Sequence, residues 1–440
     1  MLSPFLIIGV GGSGGKTIRG MRQTLLRRLR AKGWKGEFPE AWQFLEIDTI
    51  STQGGGNFSA PLLPANQFLG LVPQNVNYSG LRNQLIQRMP KGEQNLALGG
   101  WLPENTAVPI QKGAGQYRTL GRAVVASQLP QLRQAISRSY DALFAAGVEA
   151  ELREVSMKLY GKADGQAPLP MVLVISSVAG GSGAGIYLDV VEALKSLSPD
   201  LEKRTQVLLF GPDVFNNIKA GLRDSIPANA LGAMNETLAG MWAEGPGAGS
   251  AALFNNAGLN GRGEAGFGPR NTYLIGASNN HVAFGDQDSV YRAAAESLAT
   301  LVADEEVQTW MIEYAIVNVF VNSANPIICN DDSMLKSPQD VFHSQPLGSI
   351  GVGRVSLGLD RFSEYIAEGS ARWSIERLLW PQYEPPNPMN PQTPQQIIED
   401  EVDRSWSQFL TDSGLNERGD VNEVIDALAP VGLEDRARAI

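Results

Sequence analysis

Apolar residues in the first 280 positions of this chain gather in short, mainly apolar runs, the pattern of buried strands. Phe5–Ile8, Trp42–Ile47, Met171–Val178, Gln206–Phe210 and Thr272–Ile275 are such runs. Between them the spacing turns helical. Ile18, Met21, Leu25, Leu26 and Leu29 share one face of a helix over Ile18–Leu29. Gly121–Phe144 reads as helical with a kink or boundary at Pro130, and Ile186–Leu197 reads as another helix. Strands alternating with helices predict an α/β fold, a parallel sheet with helices on both faces. Ligands of such sheets bind at the carboxyl ends of the strands.

The second half is less regular. Gly245–Gly268 is dense in Gly, Ala and Asn and reads as a flexible surface insertion. Asp288–Asn318 is expected to form one long helix. Ala315–Val321 and Gly351–Leu357 look like strands of a second region, with a helix at about Arg361–Leu379. Pro381–Gln396 carries six prolines and reads as an extended linker to a helical C-terminal segment. The expected layout is a nucleotide-binding domain over 1–285, a central helix over 286–318, a reduced second domain over 319–380, a linker over 381–396 and a helical segment over 397–440.

Composition narrows the function classes. The 440 residues are 43% hydrophobic and 19% charged, a well-cored globule. A net charge of −10 argues against nucleic acid as partner. With one cysteine, Cys329, and two histidines, His281 and His343, neither a disulfide framework nor a His/Cys metal site is expected. No run reaches the roughly 18 apolar residues of a membrane helix, and residues 1–9 lack signal-peptide character. The expected setting is reducing and cytoplasmic.

Three glycine-rich stretches carry the chemistry. In "GVGGSGGKT", Gly15-Lys16-Thr17 ends like a phosphate loop, but Val10 stands where that loop needs its first glycine. Gly9, Gly11 and Gly14 meet the dinucleotide spacing instead. The carboxylate of Asp48 ends the next strand, 34 residues after Gly14, where that fingerprint expects about 20. A second run, "AGGSGAG", places Gly180, Gly181, Ser182, Gly183 and Ala184 between a strand and a helix. Bare amides at a helix N-terminus hold phosphate. The third is the short turn Gly113-Ala114-Gly115, followed by Gln116 and a helix starting near Gly121-Arg122.

In this order the three stretches resemble the tubulin/FtsZ superfamily, nearest to its divergent bacterial tubulin-like members. "AGGSGAG" fits the tubulin signature at six of seven positions, with Ser182 for threonine. "GVGGSGG" is similar to the first FtsZ loop, and "GAGQYRTLGR" to its Gly-Ala-Gly, five residues, Gly-Arg. The resemblance spans about residues 1–320. It implies a Rossmann-like GTP-binding domain of tubulin type, a long central helix and a smaller α+β domain. GTP or GDP, with Mg2+ beside the triphosphate, would lie between the loops. Gly11, Gly12, Ser13 and Gly14 would take the α/β phosphates, Gly113 to Gly115 the γ-phosphate, and Gly180 to Ala184 the chain of phosphates. Asp48 would lie near the ribose or the first loop. Head-to-tail self-assembly, with hydrolysis completed between subunits, is also implied.

Departures from the family pattern set the open questions. Lys16 stands where FtsZ keeps an asparagine near guanine, so Lys16 could bind phosphate, and guanine or adenine remains open. Asn229 in "IPANALGAM" is a candidate base contact. The family's acidic loop is represented by "NSANPIICNDDSM", where Asp331 and Asp332 are the candidate catalytic carboxylates although their spacing differs. A nucleotide-bound scaffold that does not hydrolyse is therefore an alternative, and a Rossmann oxidoreductase a further one. A basic run from Lys16 to Lys35, without an acid before Glu37, reads as a solvated face or as a docking surface for an acidic protein partner, a neighbouring subunit or an anionic membrane. The C-terminal segment is a second such candidate. Each glycine run also has a plain reading as a packing turn. Valine at Gly12 or Gly181 is expected to block phosphate without unfolding the chain.

Overall fold

The computed structural model describes residues 1–242 except 56, 74–75, 93, 95–100, 107–108, 199 and 219–222, and residues 268–324 except 270. It further describes 347–350, 359–379, 393, 396, 399–400 and 402–407. Two compact units divide at Gly351, Met1–Gly351 and Val352–Ile440.

The first unit is built on seven parallel strands in the order β3-β2-β1-β4-β5-β6-β7. They are β1 (Phe5–Val10), β2 (Trp42–Asp48), β3 (Phe68–Gly70), β4 (Met171–Ser177), β5 (Thr205–Phe210), β6 (Asn271–Ile275) and the two-residue β7 (Gly348–Ser349). All of β1 and β4 is buried, as continuous apolar runs require of central parallel strands. Phe5 pairs with Trp42 on one side and Met171 on the other. The chain therefore runs outward from β1 to β3, then returns to β4 on the opposite side. The loops after β1 and β4 face each other at this reversal, the place where open α/β sheets bind ligands.

Alternate side chains feed two apolar layers. Leu6, Ile8, Leu45, Val172 and Val174 pack under α2 (Tyr78–Arg88), α3 (Arg118–Ser127), α4 (Leu129–Ala142) and α6 (Gly181–Leu197). Phe5, Ile7, Phe44, Leu173 and Ile175 pack under α1 (Gly11–Ala31), α5 (Val148–Tyr160) and α9 (Gln287–Ala303). The short α7 (Leu201–Arg204) leads into β5, and α8 (Ile226–Trp242) follows it.

Several expectations shift. The helices α1 and α6 start seven and five residues earlier than periodicity indicates, inside the glycine runs at Gly11 and Gly181. Glycine is a poor helix former, but here helix and strand approach too closely for a larger residue. A Cβ on Gly14 would stand 2.2 Å from the Ile175 carbonyl oxygen. The helix expected from Gly121 starts at Arg118 and breaks at Gln128, with Pro130 in the first turn of α4. The single helix expected over Asp288–Asn318 is two, α9 and α10 (Glu305–Ala324). Asp304, with φ −132 and ψ 117, separates them. Its Oδ1 accepts from the Glu306 and Val307 amides at 3.0 Å each, an N-cap. Ala315–Val321, expected as a strand, lies within α10. The expected strand Gly351–Leu357, most of the Gly245–Gly268 insertion and most of the proline-rich stretch lie outside the described residues. In the second unit, α11 (Leu359–Leu379) carries exposed Tyr365, Trp373 and Ile375.

Candidate functional site

Two helices begin at the sheet's reversal point without a side-chain cap. Val10 precedes α1 and Gly180 precedes α6, and neither first turn holds an acidic residue. Their amides and positive dipole ends point into one region. The loops touch. Gly11 has φ +68, and a Cβ there would lie 2.8 Å from the Gly183 nitrogen. Gly12 is exposed with nothing within 4 Å of an added Cβ, so this residue faces the open mouth. Ser13 is half-buried, and Gly14 is buried against the sheet.

The third wall is the Gly113–Gln116 turn. Gly113 has φ 85 and Gly115 has φ 53, both in the left-handed region. The Gly115 carbonyl accepts from the Gly181 amide at 2.9 Å, which fastens the third loop to the second. Asn229, from α8, donates through Nδ2 to the Gln116 carbonyl at 2.7 Å and to the Ala179 carbonyl at 2.9 Å. It thus ties the same two loops together. Gly180 and Ser182 stay half-exposed, whereas Gly181, Gly183 and Ala184 are buried.

Asp48 is buried at the end of β2. Its Oδ1 accepts from the Thr49 amide at 2.6 Å, and its carboxyl also receives the Ser182 hydroxyl. Burial lifts Asp48 above the usual carboxylate range, and those bonds act the other way. Asp48 therefore borders the second loop. Thr49, which sequence reasoning passed over, links Ser182 and the Ala114 amide. An "IDT" tripeptide closing a strand offered no signal of that role.

Lys16 is engaged by α9 and by two aromatic rings. Its Nζ pairs with Asp288 Oδ1 of α9 at 2.8 Å and lies over the rings of Phe58 and Tyr291. Tyr291 meets Ser13 through its hydroxyl at 3.0 Å, and burial pushes it up to about 12. The start of α9 is therefore a fourth element of the site. Beneath the first loop, Glu46 stands where a Cβ on Gly15 would fall, 2.3 Å from its Oε1. Burial lifts Glu46 to about 7 despite the nearby Arg19 guanidinium. Much of the basic run acts inside the fold. Arg22 lies over Phe38, Arg28 donates to Thr300, and Arg30 donates to the Trp34 carbonyl. Lys32 and Lys35 are exposed. Asp331 and Asp332 lie outside the described residues.

Among the described residues no group of three His, Cys, Asp or Glu could hold a metal ion, and no helix is long and apolar enough to cross a membrane.

No curated protein matches the chain. Solved structures similar to it include CetZ from Methanosaeta thermophila, at 13% identity and TM-score 0.34, covering 72% of this chain and 59% of that one. Another is CetZ2 from Haloferax volcanii, described as a GTPγS-bound protofilament, at 15% identity and TM-score 0.30, covering 69% of this chain and 59% of that one. The chain thus spans 59% of the length of each. A family model described as "Tubulin like" matches residues 6–375, most of the chain, so the protein belongs to the tubulin-like family.

Proposed function

We propose that this protein binds a guanine nucleotide between its three glycine loops and self-associates head to tail. The observation that carries the reading is the meeting of two uncapped helix N-termini, α1 and α6, beside the Gly-Ala-Gly turn. Such a meeting suits a chain of phosphates, with its bare amides and two dipole ends. In this reading Gly11 to Gly14 take the inner phosphates, Gly113 to Gly115 the terminal one, and Gly180 to Ala184 span them. Gln116, Asn229 and Asp48 hold the loops in place.

The Lys16–Asp288 pair supports guanine. One edge of guanine presents N1–H and N2–H donors beside the O6 acceptor. A carboxylate accepts from the donors and an ammonium donates to O6. Adenine presents the opposite pattern at that edge.

Family membership supports assembly, and a head-to-tail contact that does not close makes a filament. The expected domain boundary at 319 is not kept, because Gly348–Ser349 joins the sheet of the first unit. A nucleotide-binding domain followed by a smaller C-terminal region belongs to this proposal. So does a protein partner for the exposed lysines of the basic run or for the C-terminal segment. Hydrolysis would engage Asp331 and Asp332. The scaffold reading differs only there, and turnover that rises with protein concentration would rule it out. An NAD-dependent oxidoreductase has no support from the family match. The test is to denature freshly purified protein, identify released nucleotide, and pellet the same sample with and without GTP. Absence of both released guanine nucleotide and titratable GTP binding would refute the proposal.

A further inference from the structure

Thr49 is fully buried, and its hydroxyl is engaged by three polar partners. Its Oγ1 accepts from the Ala114 amide at 2.9 Å. It lies 2.6 Å from Ser182 Oγ and 3.4 Å from Asp48 Oδ1. A hydroxyl has one proton to give, so Thr49 either donates to Asp48 and accepts from Ser182 or donates to Ser182; both arrangements tie it to the second loop. The Ser182 hydroxyl also favours the charged form of the Asp48 carboxyl. The result is a continuous hydrogen-bonded set: the Ala114 N–H gives to Thr49 Oγ1, and the Thr49 hydroxyl, the Ser182 hydroxyl and the Asp48 carboxyl meet one another. It runs through the third loop, the end of β2 and the second loop.

From this set we infer that Thr49 is the positioning residue that lets the protein distinguish a nucleoside triphosphate from a diphosphate. The inference rests on the nucleotide site proposed above. Thr49 holds the Ser182 hydroxyl in place at 2.6 Å, at the edge of the second loop. The same oxygen sets the height of the Ala114 amide, and with it the Gly113–Gly115 turn, relative to Ser182. Ser182 serves phosphates that both nucleotides carry. The Gly-Ala-Gly turn serves the one that only the triphosphate has. Thr49 touches neither phosphate; it acts by locking the two loops in register.

The experiment measures affinity for GTPγS and GDP in wild type, Thr49→Val and Thr49→Ser. Valine keeps the shape and removes the hydroxyl. The ratio of GDP to GTPγS dissociation constants should fall about tenfold in Thr49→Val, as expected for a lost buried hydrogen bond. Thr49→Ser should restore it. Equal weakening of both nucleotides, or no weakening, would overturn the inference. A wild type that binds neither nucleotide overturns the proposed function itself, and the first titration shows it. Should Thr49→Val fail to fold, hydrogen exchange on the wild type decides. GTPγS should slow the Ala114 and Ser182 amides together, and GDP the Ser182 amide alone. Slowing of both amides by both nucleotides would refute the coupling.

Discussion

Gly12→Val offers the cleanest separation of binding from folding. Gly12 is exposed, and a Cβ there would meet nothing within 4 Å. The residue stands in the first turn of α1. Replacing a helical glycine by a residue with a Cβ is worth roughly 0.5–1 kcal/mol, and β-branching returns part of that. The stability of the nucleotide-free protein should therefore change by less than about 1 kcal/mol. Binding should respond differently. The valine methyls would occupy the space where phosphate approaches the Gly12 and Ser13 amides. Each hydrogen bond to a charged group is worth about 1.5–3 kcal/mol, so losing two weakens binding by roughly a hundredfold to ten-thousandfold. Calorimetric titration with GTP and thermal unfolding without it read the two quantities independently. GTP affinity within threefold of wild type would show that phosphate does not lie over this loop. Gly181→Val would not serve as well. Its Cβ would lie 2.7 to 2.9 Å from the Gly115 and Ala114 carbonyl oxygens and the Tyr117 nitrogen. Overpacking of that kind typically costs about 1–3 kcal/mol before any ligand is considered.

Asp288→Asn should reduce the preference for GTP over ITP, which lacks the N2 amino group, about tenfold; an unchanged ratio in competition binding would remove Asp288 from the base. Because Lys16 and Asp288 are both partly exposed, neither Asp288→Asn nor Lys16→Met should change stability by more than about 1 kcal/mol. Glu46 titrates near 7 in the folded protein against an ordinary 4.5. A raised carboxylate contributes its full stability below pH 4.5 and loses it as pH rises through 7. Denaturant titrations between pH 4.5 and 8 should show wild type losing on the order of 3 kcal/mol relative to Glu46→Gln; parallel curves would contradict this. Gly121→Ala would place a Cβ 2.3 Å from the Gly181 carbonyl oxygen. It should lower the melting temperature by several degrees and weaken GTP binding with it, whereas an unchanged melting curve would mean that α3 stands off from the second loop.

Strand-to-loop order was legible because the central strands are mainly apolar runs and each of the three meeting loops is marked by glycine. Residues whose role depends on a distant partner were not legible. Thr49 gains its meaning from Ser182 and Ala114, 133 and 65 residues away in the chain. Tyr291 and Asp288 gain theirs from Ser13 and Lys16. Glycines that look alike in sequence separate only in space: Gly12 faces the mouth, while Gly14 and Gly181 exist so that backbones can touch. The break at Asp304 could have been read from Asp-Glu-Glu, a cap followed by acids in a first turn. Helical periodicity on both sides of it concealed the break.

That break changes what α9 can do mechanically. Its leading end is coupled to the first loop through Ser13–Tyr291 and Lys16–Asp288. Its trailing end is pinned where the Ala303 carbonyl takes the Tyr160 hydroxyl and the Val302 carbonyl takes the Gln308 side chain. Seventeen residues at 1.5 Å each make a rod of about 25 Å. A rod fixed at its far end does not slide lengthwise; it tilts. A shift of Tyr291 would therefore be felt along the rod in proportion to the distance from Ala303, and the Asp304 joint would keep it from passing undiminished into α10.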